Sequence, residues 1–213
     1  MSVEYTEEEK SVINNFDKLD SNYWNSDLEH LKTIRSKIRK YYLEVLDNKC
    51  CYCQMLKQEN HGSTWDVEHI LPKALYPRYM FELTNLSVSC KECNQAKLDK
   101  EICTKPIKAY PRTGNNIKIV HPNFDIYKDH IKVVMAPDGK IFHTPLNGSK
   151  KARETIVACN LFRFQEEAFG KENSYKKSVS DKLSEVFASM NFENLTEDQR
   201  KIAIKTAVEC IFN

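Results

Sequence analysis

The chain has 213 residues, enough for one full-sized domain or a catalytic unit wrapped by helices. It is 41% hydrophobic and 29% charged, and its formal net charge of +2 exerts no global pull on polyanions, so a nucleic-acid site needs local basic clustering or a metal ion. The Glu-rich start does not resemble a signal peptide, and apolar runs such as Val133 to Ala136 fall far short of the roughly 20 residues of a membrane span, so a cytoplasmic protein with no membrane partner is expected.

All seven prolines lie between Pro72 and Pro145, and no glycine precedes Gly62 or follows Gly170. The two ends are therefore free of helix breakers, and the turns concentrate in the middle. This predicts an α+β chain in four parts: an N-terminal helical segment (1–47), a small irregular centre (48–105), a loop with a β-hairpin (106–147) and a C-terminal helical region (148–213). Thr6 ahead of Glu7, Glu8 and Glu9 fits an N-cap with acids in the first helical turn. A longer helix then carries Leu28, Leu31, Ile34, Ile38, Tyr41 or Tyr42, and Val45 on one stripe. Its other faces bear Lys32, Arg35, Lys37, Arg39 and Lys40, ordinarily a solvated surface but also suited to a nucleic-acid backbone.

The eight cysteines do not suggest a disulfide framework in a reducing compartment. Cys50/Cys53 and Cys90/Cys93 each have the C-x-x-C spacing, which points to a metal. Four thiolates suit tetrahedral Zn²⁺ in a closed, structural site. A redox pair would instead sit at a strand-to-helix junction of a βαβ unit, and none is legible. Cys50 is preferred to Cys51 because it completes C-x-x-C with Cys53; Cys51, Cys103, Cys159 and Cys210 read as packing residues.

Between the knuckles, alternation in Trp65-Asp66-Val67-Glu68 predicts a short strand ending near His69. A loop through Tyr76, Pro77 and Arg78 leads to a second strand, Asn85 to Ser89, and then a short helix within Cys90 to Lys100. Asn94 and Lys97 are three apart and share a helical face. Glu68-His69-Ile70, Asn85-Leu86 and Cys93-Asn94-Gln95-Ala96-Lys97, bracketed by the cysteine pairs, resemble the HNH endonuclease family over roughly residues 48–105. The resemblance implies a ββα-metal core, with His69 as general base, Asn85 holding the loop and the base in place, and Asn94 as a metal ligand. The residue before the central His is commonly Asp or His in that family. Glu68 departs from this, yet is a suitable hard-oxygen ligand if its longer stem is accommodated.

Such a site hydrolyses phosphodiester bonds, with DNA favoured and RNA allowed. A neutral imidazole takes a proton from water, and one Mg²⁺ or Mn²⁺ on Glu68 and Asn94 neutralises charge on phosphate. Lys97 is expected to contact a phosphate, while Asp66 either supports the site from behind or stands exposed on its strand. Farther along, Ile131 to Ala136 and Lys140 to Thr144 flank Pro137-Asp138-Gly139, a hairpin signal. Helix returns at Ser149 with Ala152, Ile156, Cys159 and Phe162 or Phe164 inward, and a last helix opens with Thr196 and Gln199 and runs through Ile202, Val208 and Ile211. The hairpin, Lys151 to Ile156 and Asn160-Leu161 are similar to the HNH proteins paired with ATPases in Septu-type and retron-linked anti-phage systems. That implies a toxic effector held by an ATPase partner. Two rivals are weighed on the residues alone. One is a non-catalytic zinc module binding nucleic acid or protein. The other, a zinc deaminase, fails because Glu68 precedes His69 and Ser89, not Pro, precedes Cys90.

Overall fold

Thr6 begins the first helix, α1 (Glu7–Asn14), through a reciprocal cap. Its Oγ1 accepts from Glu9 N at 3.2 Å, and Glu9 Oε2 accepts from Thr6 N at 2.8 Å. Such a cap contributes about 1 kcal/mol. The computed structural model describes residues 3–59, 61–135 and 141–164, all within the unit Met1–Phe164. Glu9 also accepts from Lys37 Nζ at 2.7 Å, which fastens α1 to the next helix, α2 (Glu29–Val45).

The apolar stripe of α2 buries Leu31, Ile34, Ile38 and Tyr42 together with Leu43. Its expected ends, Leu28 and Val45, are 50% and 54% exposed. The reason is length. Seventeen helical residues extend about 25 Å, whereas the strands they cover extend about 17 Å, so the helix overhangs at both ends. Those strands are β1 (Trp65–His69) and β2 (Leu86–Cys90), paired antiparallel, and α3 (Lys91–Lys97) follows directly. Asn85, expected to open the second strand, closes a 3-10 turn, Leu83–Asn85, just before it.

Trp65, Val67 and His69 share one face of the hairpin with Val88 and Leu86, while Asp66 and Glu68 share the other with Ser89 and Ser87. α2 and α3 both pack on this hairpin. All of β2 is consequently buried, and so is Glu68. The alternation in β1 distinguishes two covered faces; it does not separate core from solvent.

Behind the hairpin, α4 (Tyr127–His130) leads into β3 (Ile131–Met135), which pairs antiparallel with β4 (Ile141–Pro145). The turn at 136–140 lies outside the described residues. Ser149 caps α5 (Lys150–Ala158) by accepting from Ala152 N at 3.1 Å. Ala152, Ile156 and Cys159 face inward, while Phe162 is 40% exposed and the partly buried Phe164 packs on His143, ring centres 5.1 Å apart. Thr155 Oγ1 accepts from Val120 N at 2.8 Å, which ties α5 to the long loop after α3. The predicted last helix, with Thr196, Gln199, Ile202, Val208 and Ile211, falls outside the described residues. No helix among the described residues is long and apolar enough to cross a membrane.

Candidate functional site

Cys50 and Cys53 form a tight turn. Gln54 N donates to Cys50 O at 2.9 Å, Cys50 N to Met55 O at 3.1 Å, and Gln54 itself adopts φ 60°. Cys51 N donates to Val88 O at 3.1 Å, so β2 holds this knuckle beside Cys90 and Cys93, which bracket the start of α3. The sulfurs of Cys50, Cys53, Cys90 and Cys93 lie within 4.8 Å of one another, and all four residues are buried. They are positioned to bind one metal ion. Without a cation such a cluster resists ionising. Its neighbours' thiols donate to Cys50 and pull it well below the usual thiol range against the effect of burial, while Cys53 and Cys93, donating to Cys50, are pushed far up.

Tyr52, inside the knuckle, carries the structure inward. Its hydroxyl donates to Glu68 Oε1 at 2.9 Å, and Lys97 Nζ lies 2.6 Å from the same oxygen. Lys97 also donates to His69 O at 2.9 Å. Burial pushes the Glu68 carboxyl up, and Lys97 and Tyr52 pull it partly back. Lys97, expected to contact a phosphate, is 1% exposed and is not among the residues that line the cleft. The face it shares with Asn94 is turned onto the hairpin, and a buried carboxylate claims the ammonium. Glu68 does line the cleft, and no hydrogen bond among the described residues engages its Oε2.

That cleft, about 620 Å³, runs along the outer edge of β1 between α2 and the end of α3. Trp24, Arg35, Arg39, Asp66, Glu68, His69, Lys73 and Asn94 contribute to its lining. The ring of His69 stands edge-on to Trp24, centroids 4.5 Å apart, and its Nε2 donates to Met80 O at 3.2 Å. A carbonyl only accepts, so the proton resides on Nε2 and Nδ1 keeps its lone pair. Burial, reinforced by Lys73 and Lys97, lowers the imidazole pKa to about 3, so the ring is neutral near pH 7. Asn94 Nδ2 donates to Asp66 Oδ2 at 2.7 Å. A carboxylate compels the amide to present its NH₂, and Asn94 Oδ1 accepts no hydrogen bond among the described residues. Asp66 also accepts from Lys91, and so it supports Asn94 from behind.

Asn85 is fully buried. Its Oδ1 accepts from Leu71 N at 2.7 Å, and its Nδ2 donates to Leu71 O at 3.2 Å and Tyr79 O at 3.0 Å. These bonds pin the loop after β1 back onto the hairpin, beside the Met80 carbonyl that fixes His69. The structure thus gathers His69, Glu68, Asp66 and Asn94 at one cleft, places Asn85 beneath it, and sets the cysteine quartet apart.

Sequence reasoning missed Trp24, Tyr52 and Arg163. Arg163 Nη2 donates to Cys93 Sγ at 3.2 Å and lies 3.8 Å from Cys90 Sγ, with its guanidinium 4.3 Å above the Phe164 ring. It follows Asn160-Leu161-Phe162, and nothing local marks it as a partner of the knuckles. Tyr52 was more legible, as a large aromatic inside a C-x-x-C turn that must point either to solvent or into the core.

No family model and no solved structure matches the chain. A stretch of 96 residues, 45% of this chain, is 32% identical to the Septu protein PtuB of Bacillus thuringiensis, and covers 32% of that relative. The chain is therefore distantly similar to a Septu protein, and the similarity spans about a third of that protein's length.

Proposed function

We propose that the chain is a metal-dependent endonuclease of the HNH type, cutting phosphodiester bonds in DNA or RNA, with His69 as general base. The observation that carries this is the His69 tautomer. Nε2 is held on the Met80 carbonyl, so Nδ1 is the acceptor available to a water at the cleft. The low imidazole pKa keeps that nitrogen unprotonated, and an anionic phosphate near Lys73 raises its basicity by offsetting the local positive charge. β1, β2 and α3 then form the ββα-metal core, and Asn85 holds in place the loop whose Met80 carbonyl orients the base.

The quartet's metal is proposed to be zinc. A Zn–S bond of about 2.3 Å in a tetrahedron requires sulfurs about 3.8 Å apart, and Cys53 and Cys90 sulfurs are 3.8 Å apart. The cleft also offers oxygens suited to a hard cation. Glu68 Oε2 and Asn94 Oδ1 are without hydrogen bonds among the described residues, and they would hold Mg²⁺ or Mn²⁺. Bound there, such an ion neutralises charge on phosphate and the leaving oxygen. Lys97 and Tyr52 fix one Glu68 oxygen, and Asp66 fixes the Asn94 amide, so both ligands are oriented by this chain's own residues.

The similarity to a Septu protein, with the resemblance to HNH partners of ATPases, supports a role as an anti-phage effector regulated by an ATPase. A second reading, a non-catalytic zinc module that binds nucleic acid or protein, is favoured by one observation: Glu68 is paired with Lys97 in the interior, as a purely structural carboxylate would be. Cleavage decides between them. Plasmid DNA and single-stranded RNA are incubated with Mg²⁺ or Mn²⁺ and the chain, alone and with proteins co-purified from its operon. Wild type is expected to cut one of them, and His69→Ala to lose at least about 10²-fold in rate. No cutting in any combination, or equal cutting by His69→Ala, overturns the proposal.

A further inference from the structure

We propose that Arg39 of α2 and Lys73 of the loop after β1 form a phosphate-binding wall that lays a nucleic-acid strand along the cleft past His69. This deepens the nuclease reading and rests on it for the choice of ligand. α2 presents three cations to the cleft, Lys32, Arg35 and Arg39, at positions i, i+3 and i+7 of one stripe. Their partners differentiate them. Arg35 is committed to the chain itself, donating to the carbonyls of Trp24 and Ser26, where it steadies the Trp24 ring that abuts His69. Lys32 lies 3.8 Å from both Asp27 and Glu29. Lys37, on a different face, is held by Glu9.

Arg39 is half-buried, lines the cleft and has no hydrogen-bond or ion-pair partner among the described residues. The same holds for Lys73, whose charge is felt by the His69 ring. A partly desolvated guanidinium without an anion is costly, and an incoming phosphate relieves that cost with a two-pronged donor fork. Two of the cleft's three carboxylates are already matched, Asp66 by Lys91 and Glu68 by Lys97. Asp99 stands exposed at the end of α3. The unmatched positive charge is thus Arg39 and Lys73, both on the cleft that His69 lines.

Gly62 fits this arrangement. A Cβ there would sit 3.2 Å from Arg39 Nη1, so a side chain would crowd the guanidinium where the fork must turn to meet a phosphate. The occupant is identified by chemistry. A cleft edged by a planar cation and a flexible one, beside a neutral imidazole, suits a sugar-phosphate backbone. Contacts of this kind give affinity without sequence preference and make binding steeply salt-dependent.

The test measures binding without turnover. The full chain carrying His69→Ala is titrated, without added Mg²⁺ or Mn²⁺, against a fluorescein-labelled DNA duplex and a labelled single-stranded RNA at several salt concentrations. On the probe that binds, Arg39→Gln/Lys73→Gln is expected to weaken affinity roughly 10-fold or more. It should also lower the slope of log K against log salt by about 1.8 for duplex or about 1.4 for single strand, one increment per lost phosphate contact. Lys40→Gln, an exposed cation of α2 off the cleft, should change neither by more than its share of net charge. The inference is overturned if the double variant behaves like Lys40→Gln, or if neither probe binds. A chain that binds through this wall yet never cuts would sink the nuclease reading and keep the wall; one that cuts while Arg39→Gln/Lys73→Gln binds normally would do the reverse.

Discussion

Replacing Lys97 by Met keeps an apolar stem of similar length in the interior and removes only the ammonium. In wild type that ammonium sits 2.6 Å from Glu68 Oε1 and 2.9 Å from His69 O, and both charged side chains are at most 2% exposed. Removing one member of a buried pair leaves the other uncompensated, at a cost of about 3–5 kcal/mol, a large fraction of a typical total stability of about 5–15 kcal/mol. The cost should depend on pH. Burial already pushes the Glu68 carboxyl up while Lys97 pulls it down, so without Lys97 its folded pKa rises further above the unfolded value. A raised carboxyl binds its proton more tightly in the folded state, so stability is gained as pH falls through the folded pKa and lost as pH rises through it. Urea unfolding of zinc-loaded wild type and Lys97→Met at one alkaline and one acidic pH should therefore show a penalty near the upper figure at the alkaline pH that shrinks at the acidic one. Lys97 also lowers the His69 imidazole, so both proteins carry His69→Ala, and His121 and His143, whose shifts do not involve Lys97, cancel in the difference. Lys97→Met/Glu68→Gln should recover about 1–3 kcal/mol of the loss. A penalty below about 1 kcal/mol at both pH values, or one that does not change with pH, would refute the view that this pair is a matched interior charge.

His121 gives a second pH dependence. Tyr110 donates its one hydroxyl proton to Thr84 O at 3.0 Å, so His121 Nε2 donates to the Tyr110 hydroxyl oxygen at 2.9 Å, and Nδ1 accepts from Asn123 N at 3.2 Å. Burial lowers this imidazole from 6.5 to about 4, so the unfolded chain binds the extra proton first. Stability should fall by up to about 3 kcal/mol as pH drops from about 6.5 to about 4, and the urea midpoint of His121→Gln should be flatter over that range. Metal analysis of the purified chain is expected to give one zinc per molecule, and Cys53→Ser to lower the melting temperature markedly while His69→Ala leaves it near wild type; equal melting of Cys53→Ser and wild type would remove the staple. Arg163→Gln should retain the zinc but release it to a colorimetric chelator roughly 10-fold faster, because its donor bond to Cys93 disappears; an unchanged rate would show that the guanidinium contributes nothing there.

The sequence by itself determined what depends on neighbours a few residues apart. Thr6 and Glu9 announce a cap, Leu31, Ile34, Ile38 and Tyr42 repeat at helical spacing, and Ser149 starts α5. The paired C-x-x-C spacing likewise designates the four cysteines that folding brings together, because each knuckle is a local turn. Only the tertiary structure decided which charge meets which. Lys97 reaches the His69 carbonyl across 28 residues, His69 reaches Met80 across 11, and Arg163 reaches Cys93 across 70. No local rule distinguishes Lys97, which is consumed inside, from Arg39 and Lys73, which have no partner among the described residues at the cleft. Burial on both faces of a two-stranded hairpin is set by the helices that cover it, and it leaves Glu68, read from the sequence as a metal ligand, with one oxygen paired and the other without a hydrogen bond among the described residues. Side-chain charge is written in the residue type; its availability is a property of what the fold packs against it.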